Sequence, residues 1–89
     1  KYVRARIVEL QIGGHLKQEE ILRLQNLDYS REVFGSSFEI LRKSSLQKKD
    51  HLGILRYYKD QYIDGYWLTS QWYERQRESF DKWILTVKK

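Results

Sequence analysis

The chain reads as all-α, a compact bundle of four to five short helices. Three observations predict this. Apolar residues recur at helical spacing along most of the 89 residues. Proline is absent, so glycines and capping residues supply the breaks. Hydrophobic residues at 40% and charged residues at 33% suit a folded helical domain and not a disordered tail.

The first expected helix, YVRARIVELQI, ends at Gly13-Gly14, a C-cap signal. Val3, Ile7 and Leu10 form one stripe, while Val8 and Ile12 lie nearly opposite. The second, LKQEEILRLQNL, gathers Leu16, Ile21, Leu24 and Leu27 on one face, with Glu19 and Glu20 at its positive end. Asp28-Tyr29-Ser30 reads as a turn with Ser30 as the next N-cap. The third expected helix runs from about Arg31 to Leu46, with Gly35 on its polar side at a cost of roughly 1 kcal/mol.

Asp50 then caps a fourth helix, roughly 51–67, that carries Leu52, Leu55, Tyr58, Tyr62 and Tyr66 at helical spacing. Asp64-Gly65 would signal a hairpin between alternating residues, but YYKDQYI and YWLTSQW alternate poorly. The fifth helix, about 71–87, places Trp72, Tyr73, Gln76, Phe80, Trp83, Ile84 and Val87 on a third of its wheel. The rings of helices four and five are expected to interdigitate as an aromatic core layer. Tyr57 and Trp67 fall off those stripes and are expected nearer the surface.

Eighty-nine residues make one domain, here 1–89, able to bury roughly 60–65% of its unfolded surface. Methionine is absent even at position 1, so the domain is expected to be excised from a longer chain. Cysteine is absent as well, which excludes disulfides and cysteine-zinc sites. No apolar run approaches the roughly 20 residues of a membrane helix. No membrane partner is therefore expected, and the setting is read as intracellular, cytoplasmic or nuclear.

Net charge of +5 tilts partner choice toward phosphate-rich or acidic surfaces. The densest positive region is Arg42, Lys43, Lys48 and Lys49, with Arg56 beyond and Tyr57 as a ring for stacking. These six residues define the leading expectation, a non-catalytic nucleic-acid-binding (DNA-binding) or regulatory module. The alternative is a protein-interaction or oligomerisation module, homo-oligomers included, acting through Val8 and Ile12 on helix one and through Trp67.

Residues 17–43 also invite a helix-turn-helix reading. The positions that must be apolar fall on Glu32 and Gly35, so a plain helical hairpin fits better. No catalytic residue, metal ligand or cofactor is predicted. His15 and His51 lack partners at metal or triad spacing, Asp60 and Asp64 read as solvated carboxylates, and Gly13-Gly14 lacks the rest of a phosphate loop.

Overall fold

Helices α1 (Tyr2–Ile12), α2 (Gln18–Leu24) and α3 (Leu27–Phe34) precede strands β1 (Leu41–Lys43) and β2 (Tyr66–Leu68), and α4 (Arg77–Val87) follows, in the computed structural model, which describes residues 2–89. The all-α expectation is thereby corrected. The fold is mostly helical, with a small two-stranded antiparallel sheet between α3 and α4 in the chain.

α1 forms where its pattern places it. Val3, Ile7 and Leu10 are buried, and Ile12 on the other side is 82% exposed. α2 and α3 make the expected helical hairpin and α3 packs on α4, but α3 starts and stops early. Asn26, not Ser30, is its N-cap, accepting from Tyr29 N at 2.9 Å. Ser30 lies inside the helix, buried; its hydroxyl donates to Asn26 O and accepts from Ile40 N at 3.1 Å. Gly35 ends the helix by taking φ 68°, a left-handed conformation that other residues adopt at a cost. The polar-face glycine of the expected long helix is a C-cap.

Residues 51–67 are not a helix. Gly53 at φ 79° and Gly65 at φ 88° both break helical geometry. Asp64-Gly65 forms a two-residue turn between Ile63 and Tyr66, the hairpin option that weak alternation argued against. β2 then pairs with β1 in the register Leu41↔Leu68, Arg42↔Trp67, Lys43↔Tyr66. The opposite edge of the β2 segment is covered by residues 56–58, where Tyr58 N donates to Leu68 O and Ser70 N to Arg56 O. A second hairpin spans 48–56, with Lys49 bridged to Leu55.

The last helix is shorter than its stripe. Residues 70–73 run irregularly into a 3-10 turn, Glu74–Gln76, before α4 begins. Phe80, Trp83 and Ile84 are buried as expected, Trp72 is half-buried, and Tyr73 is exposed. The aromatic layer does exist, with a different partner. Phe34 of α3 meets Trp72, Phe80 and Trp83 at centroid distances of 5.8, 6.3 and 5.3 Å, and Tyr2 adds an edge to Phe80 at 6.0 Å. Tyr58, Tyr62 and Tyr66 pack only partly buried beside this core.

Candidate functional site: the 44–55 loop face

The six residues of the expected basic patch divide into two groups. Arg42 lies on β1, and both terminal nitrogens of its guanidinium are engaged. It donates to Glu39 Oε1 at 2.6 Å, to Gln47 O at 2.9 Å and to Lys49 O at 3.2 Å, and it lies over the Tyr57 ring. Arg56 is paired with Asp50 Oδ2 at 2.8 Å, donates to Gln71 Oε1 and covers the Phe38 ring. Tyr57 has no exposed surface at all. Its expected place at the surface is corrected: strand-like pairing at Tyr57↔Thr69 turns the ring inward, and its hydroxyl donates to Glu39 Oε1 at 2.6 Å. A ring with no free face cannot stack on a base.

Lys43, Lys48 and Lys49 form the second group, on the surface or partly so. Lys48 Nζ sits 4.6 Å from the centroid of the Trp67 ring, a cation–π contact, and 3.4 Å from Lys59 O. Trp67 is half-buried, on β2 across from Arg42, and its indole N–H donates to Leu46 O at 3.1 Å. Trp67, Lys48 and Lys49, assigned above to different partners, thus share one face, while Lys43 pairs with Tyr66 and lies outside it.

The two half-buried arginines act as scaffolding. Arg42 holds the two carbonyls at Gln47 and Lys49, fixing the approach to the 48–56 hairpin. Asp50 holds its tip, accepting from Leu52 N at 2.9 Å and Ile54 N at 3.0 Å through one oxygen and from Arg56 through the other. The capping role expected of Asp50 is present, but it closes a turn and not a helix. The Arg56 guanidinium and these amides hold the Asp50 carboxyl down at about 2. Burial pushes Glu39 up, yet the Tyr57 and Arg42 hydrogen bonds outweigh it and leave the carboxyl below its ordinary 4.5. Burial and the adjacent Glu39 carboxylate raise the Tyr57 hydroxyl far above 10.

This rigid segment shows water an unusual set of side chains. Leu46, Leu52, Ile54 and Leu55 are 56, 69, 44 and 51% exposed. Four large aliphatics within ten residues are not the scattered single exposures that need no explanation. Sequence reasoning missed them, because Leu52 and Leu55 read as a helix stripe. Leu46, Leu55, Trp67, Lys48, Lys49 and Gln47 together line a shallow groove of about 380 Å³.

Elsewhere the geometry is less suggestive. A cleft of about 230 Å³ opens between Tyr2, Tyr58, Trp72, Tyr73 and Arg77. Its inner polar groups are already paired: Gln76 accepts from Tyr73 N and donates to Phe34 O, and Trp72 donates to Thr69 O. It reads as the seam of the aromatic core, without the convergent free polar groups of a small-molecule site. Val8 shares a very open depression with Arg4, Ala5 and Tyr62, and Ile12 projects beyond it. The exposed side of α3 carries Asp28, Arg31 and Glu32, with Arg31 beside Asp28 at 3.7 Å, a surface that repels phosphate more than it attracts it. Among the described residues no group of three or more His, Asp or Glu is placed to hold a metal ion, and no helix is long and apolar enough to cross a membrane.

No protein-family model, no curated protein and no solved structure matches the chain.

Proposed function

We propose that the protein is a non-catalytic protein-binding module whose docking face is the 44–55 loop together with Trp67. The observation that carries this reading is the pairing of a side-chain-braced backbone with exposed aliphatic side chains. Two arginines and an aspartate fix the backbone of a segment whose aliphatic side chains point to solvent. A docking surface fixed in advance loses little conformational freedom on binding, and an aromatic ring among aliphatics is the usual make-up of an interface anchor. This keeps Trp67 from the interaction reading of the sequence and moves the face from helix one to the loop.

The nucleic-acid reading rests on Lys43, Lys48 and Lys49 alone, since Arg42 and Arg56 are spent on intramolecular bonds. Exposed Leu46 and Leu55 beside Lys48 and Lys49 suit a protein better than a phosphate backbone, which rewards charge density.

The test selects peptides on the immobilised protein and measures their binding to Leu55→Asp and Leu46→Asp variants. Selected peptides are expected to lose at least about tenfold in affinity on either change and to keep their affinity for Ile12→Asp. Binding indifferent to Leu55 and Leu46 overturns the reading. Tight, steeply salt-dependent binding of single-stranded DNA or RNA that survives Leu55→Asp would restore the nucleic-acid module.

A further inference from the structure

The groove on this face has a charge character that selects among protein partners. Two of its six lining residues are lysines and none is acidic. The nearest carboxylate along the chain, Asp50, is consumed by Arg56 and by two backbone amides. Lys48 is held in position, its ammonium resting against the indole of Trp67, and the Lys49 side chain is exposed at the rim. The floor between them is apolar, made by Leu46, Leu55 and the Trp67 ring.

Each wall restricts the occupant. An apolar side chain is needed to displace water from the Leu46–Leu55–Trp67 floor. Carboxylates are needed beside it to meet the two ammonium groups, while lysines or arginines in the same places would be repelled. A nucleic-acid base fits less well. One face of the indole is already covered by the Lys48 ammonium, so stacking there would displace the cation that the neighbouring phosphate requires.

Resting on the docking face proposed above, we infer that the groove takes a short acidic segment of a partner protein, in which a large aliphatic or aromatic residue is flanked by Asp or Glu. The apolar residue sits against Leu46, Leu55 and Trp67, and the flanking carboxylates pair with Lys48 and Lys49. Such pairs are exposed at the rim, so they set preference and salt dependence more than total affinity.

The experiment titrates the isotope-labelled full chain with two synthetic peptides, followed by NMR. One carries a central Leu-Phe pair flanked by Asp and Glu; the other has every acidic residue replaced by Lys. The acidic peptide is expected to shift the amides of residues 46–49 and 55 and the Trp67 indole, and to bind about tenfold more tightly than its basic counterpart. Lys48→Glu combined with Lys49→Glu is expected to reverse that order while the spectrum stays dispersed. Equal binding of both peptides, still lost on Leu55→Asp, overturns the acidic partner and leaves the docking face standing. Shifts confined to other residues, or no shift with either peptide, overturn the acidic partner, and the peptide-selection experiment then judges the face by itself.

Discussion

Around Phe34 the helical layer is held by ring against ring, with Phe80, Trp83 and Trp72 closing on it from α4 and its approach. In the 39–57 segment the same task falls to charge. Glu39, Arg42 and Tyr57 form one linked group, Asp50 and Arg56 another; Ile40 and Leu41 join the core, while Leu46, Leu52, Ile54 and Leu55 face outward. The helical side does hold one buried charge: Glu20 accepts from Trp83 Nε1 at 2.8 Å, from Tyr29 and from Arg23. There the carboxylate cross-links α2, α3 and α4 inside an apolar core, whereas Asp50 organises a turn that has little core of its own. The contrast teaches where a partner has room. A segment stabilised by directional polar bonds can leave several aliphatics exposed close together, whereas in the helical layer the exposed Ile12, Leu22 and Leu85 sit on three separate helices.

The largest expected effect separates the two regions. Phe80→Ala removes a ring that touches Tyr2, Phe34, Trp72 and Trp83 and should cost about 3–5 kcal/mol in chemical denaturation. Tyr57→Phe removes only a hydroxyl, leaving Glu39 without its shortest neutral donor, and should cost about 1–2 kcal/mol. If the order were reversed, the loop region and not the aromatic layer would be the principal source of stability.

Titration probes both regions at once. Burial raises Glu20 and Glu39, but the hydrogen bonds each accepts leave both below the ordinary 4.5; Asp50 lies at about 2. A carboxyl depressed by folding contributes stability that is present above its unfolded value and lost as pH falls through its folded one. Thermal midpoints should therefore hold from neutrality to about pH 5 and fall steadily below it. On the alkaline side the sign is opposite. Burial and Glu20 lift Tyr29 to about 12, and Tyr57 is raised further. Their contribution is complete below the ordinary tyrosine value of 10 and disappears as pH climbs through 12 and beyond. Midpoints insensitive to acid would mean that these carboxylates are not bonded as described.

The smallest effects are expected at the surface. Ile12→Asp and Leu55→Asp should each change stability by less than about 0.5 kcal/mol, because neither side chain is buried. A cooperative loss of several kcal/mol on Leu55→Asp would place that residue in the core and remove the docking face.

How much of this was legible in the sequence follows the period of each segment. In α1, Val3, Ile7 and Leu10 repeat at helical spacing and are buried; in α4, Phe80, Trp83 and Ile84 do the same. Local pattern and tertiary burial agree there, so the elements could be read directly. Leu55, Tyr58, Tyr62 and Tyr66 also share helical spacing, yet they lie in hairpins. Their spacing misleads because the sheet is too short to impose alternation. Three-residue strands carry almost no period of their own, and the glycines at 53 and 65 supplied the stronger signal.

Of the candidate site, the cluster of basic residues in the loop was readable from the sequence, and Trp67 stood out as a ring off the helical stripes. Which cations are engaged was not, because Arg42 meets Glu39, Gln47 and Lys49, and Arg56 meets Asp50 and Gln71, only once the chain turns there in place of the expected helices. The sequence by itself determined the first helix and the buried Phe80, Trp83 and Ile84 stripe of the last, since periodicity acts within a few residues. The tertiary structure alone decided that Tyr57 is buried, that Phe34 is the ring around which α4 closes, and that Leu46 and Leu55 face water. Those outcomes depend on contacts between residues far apart in the chain, which no local pattern records.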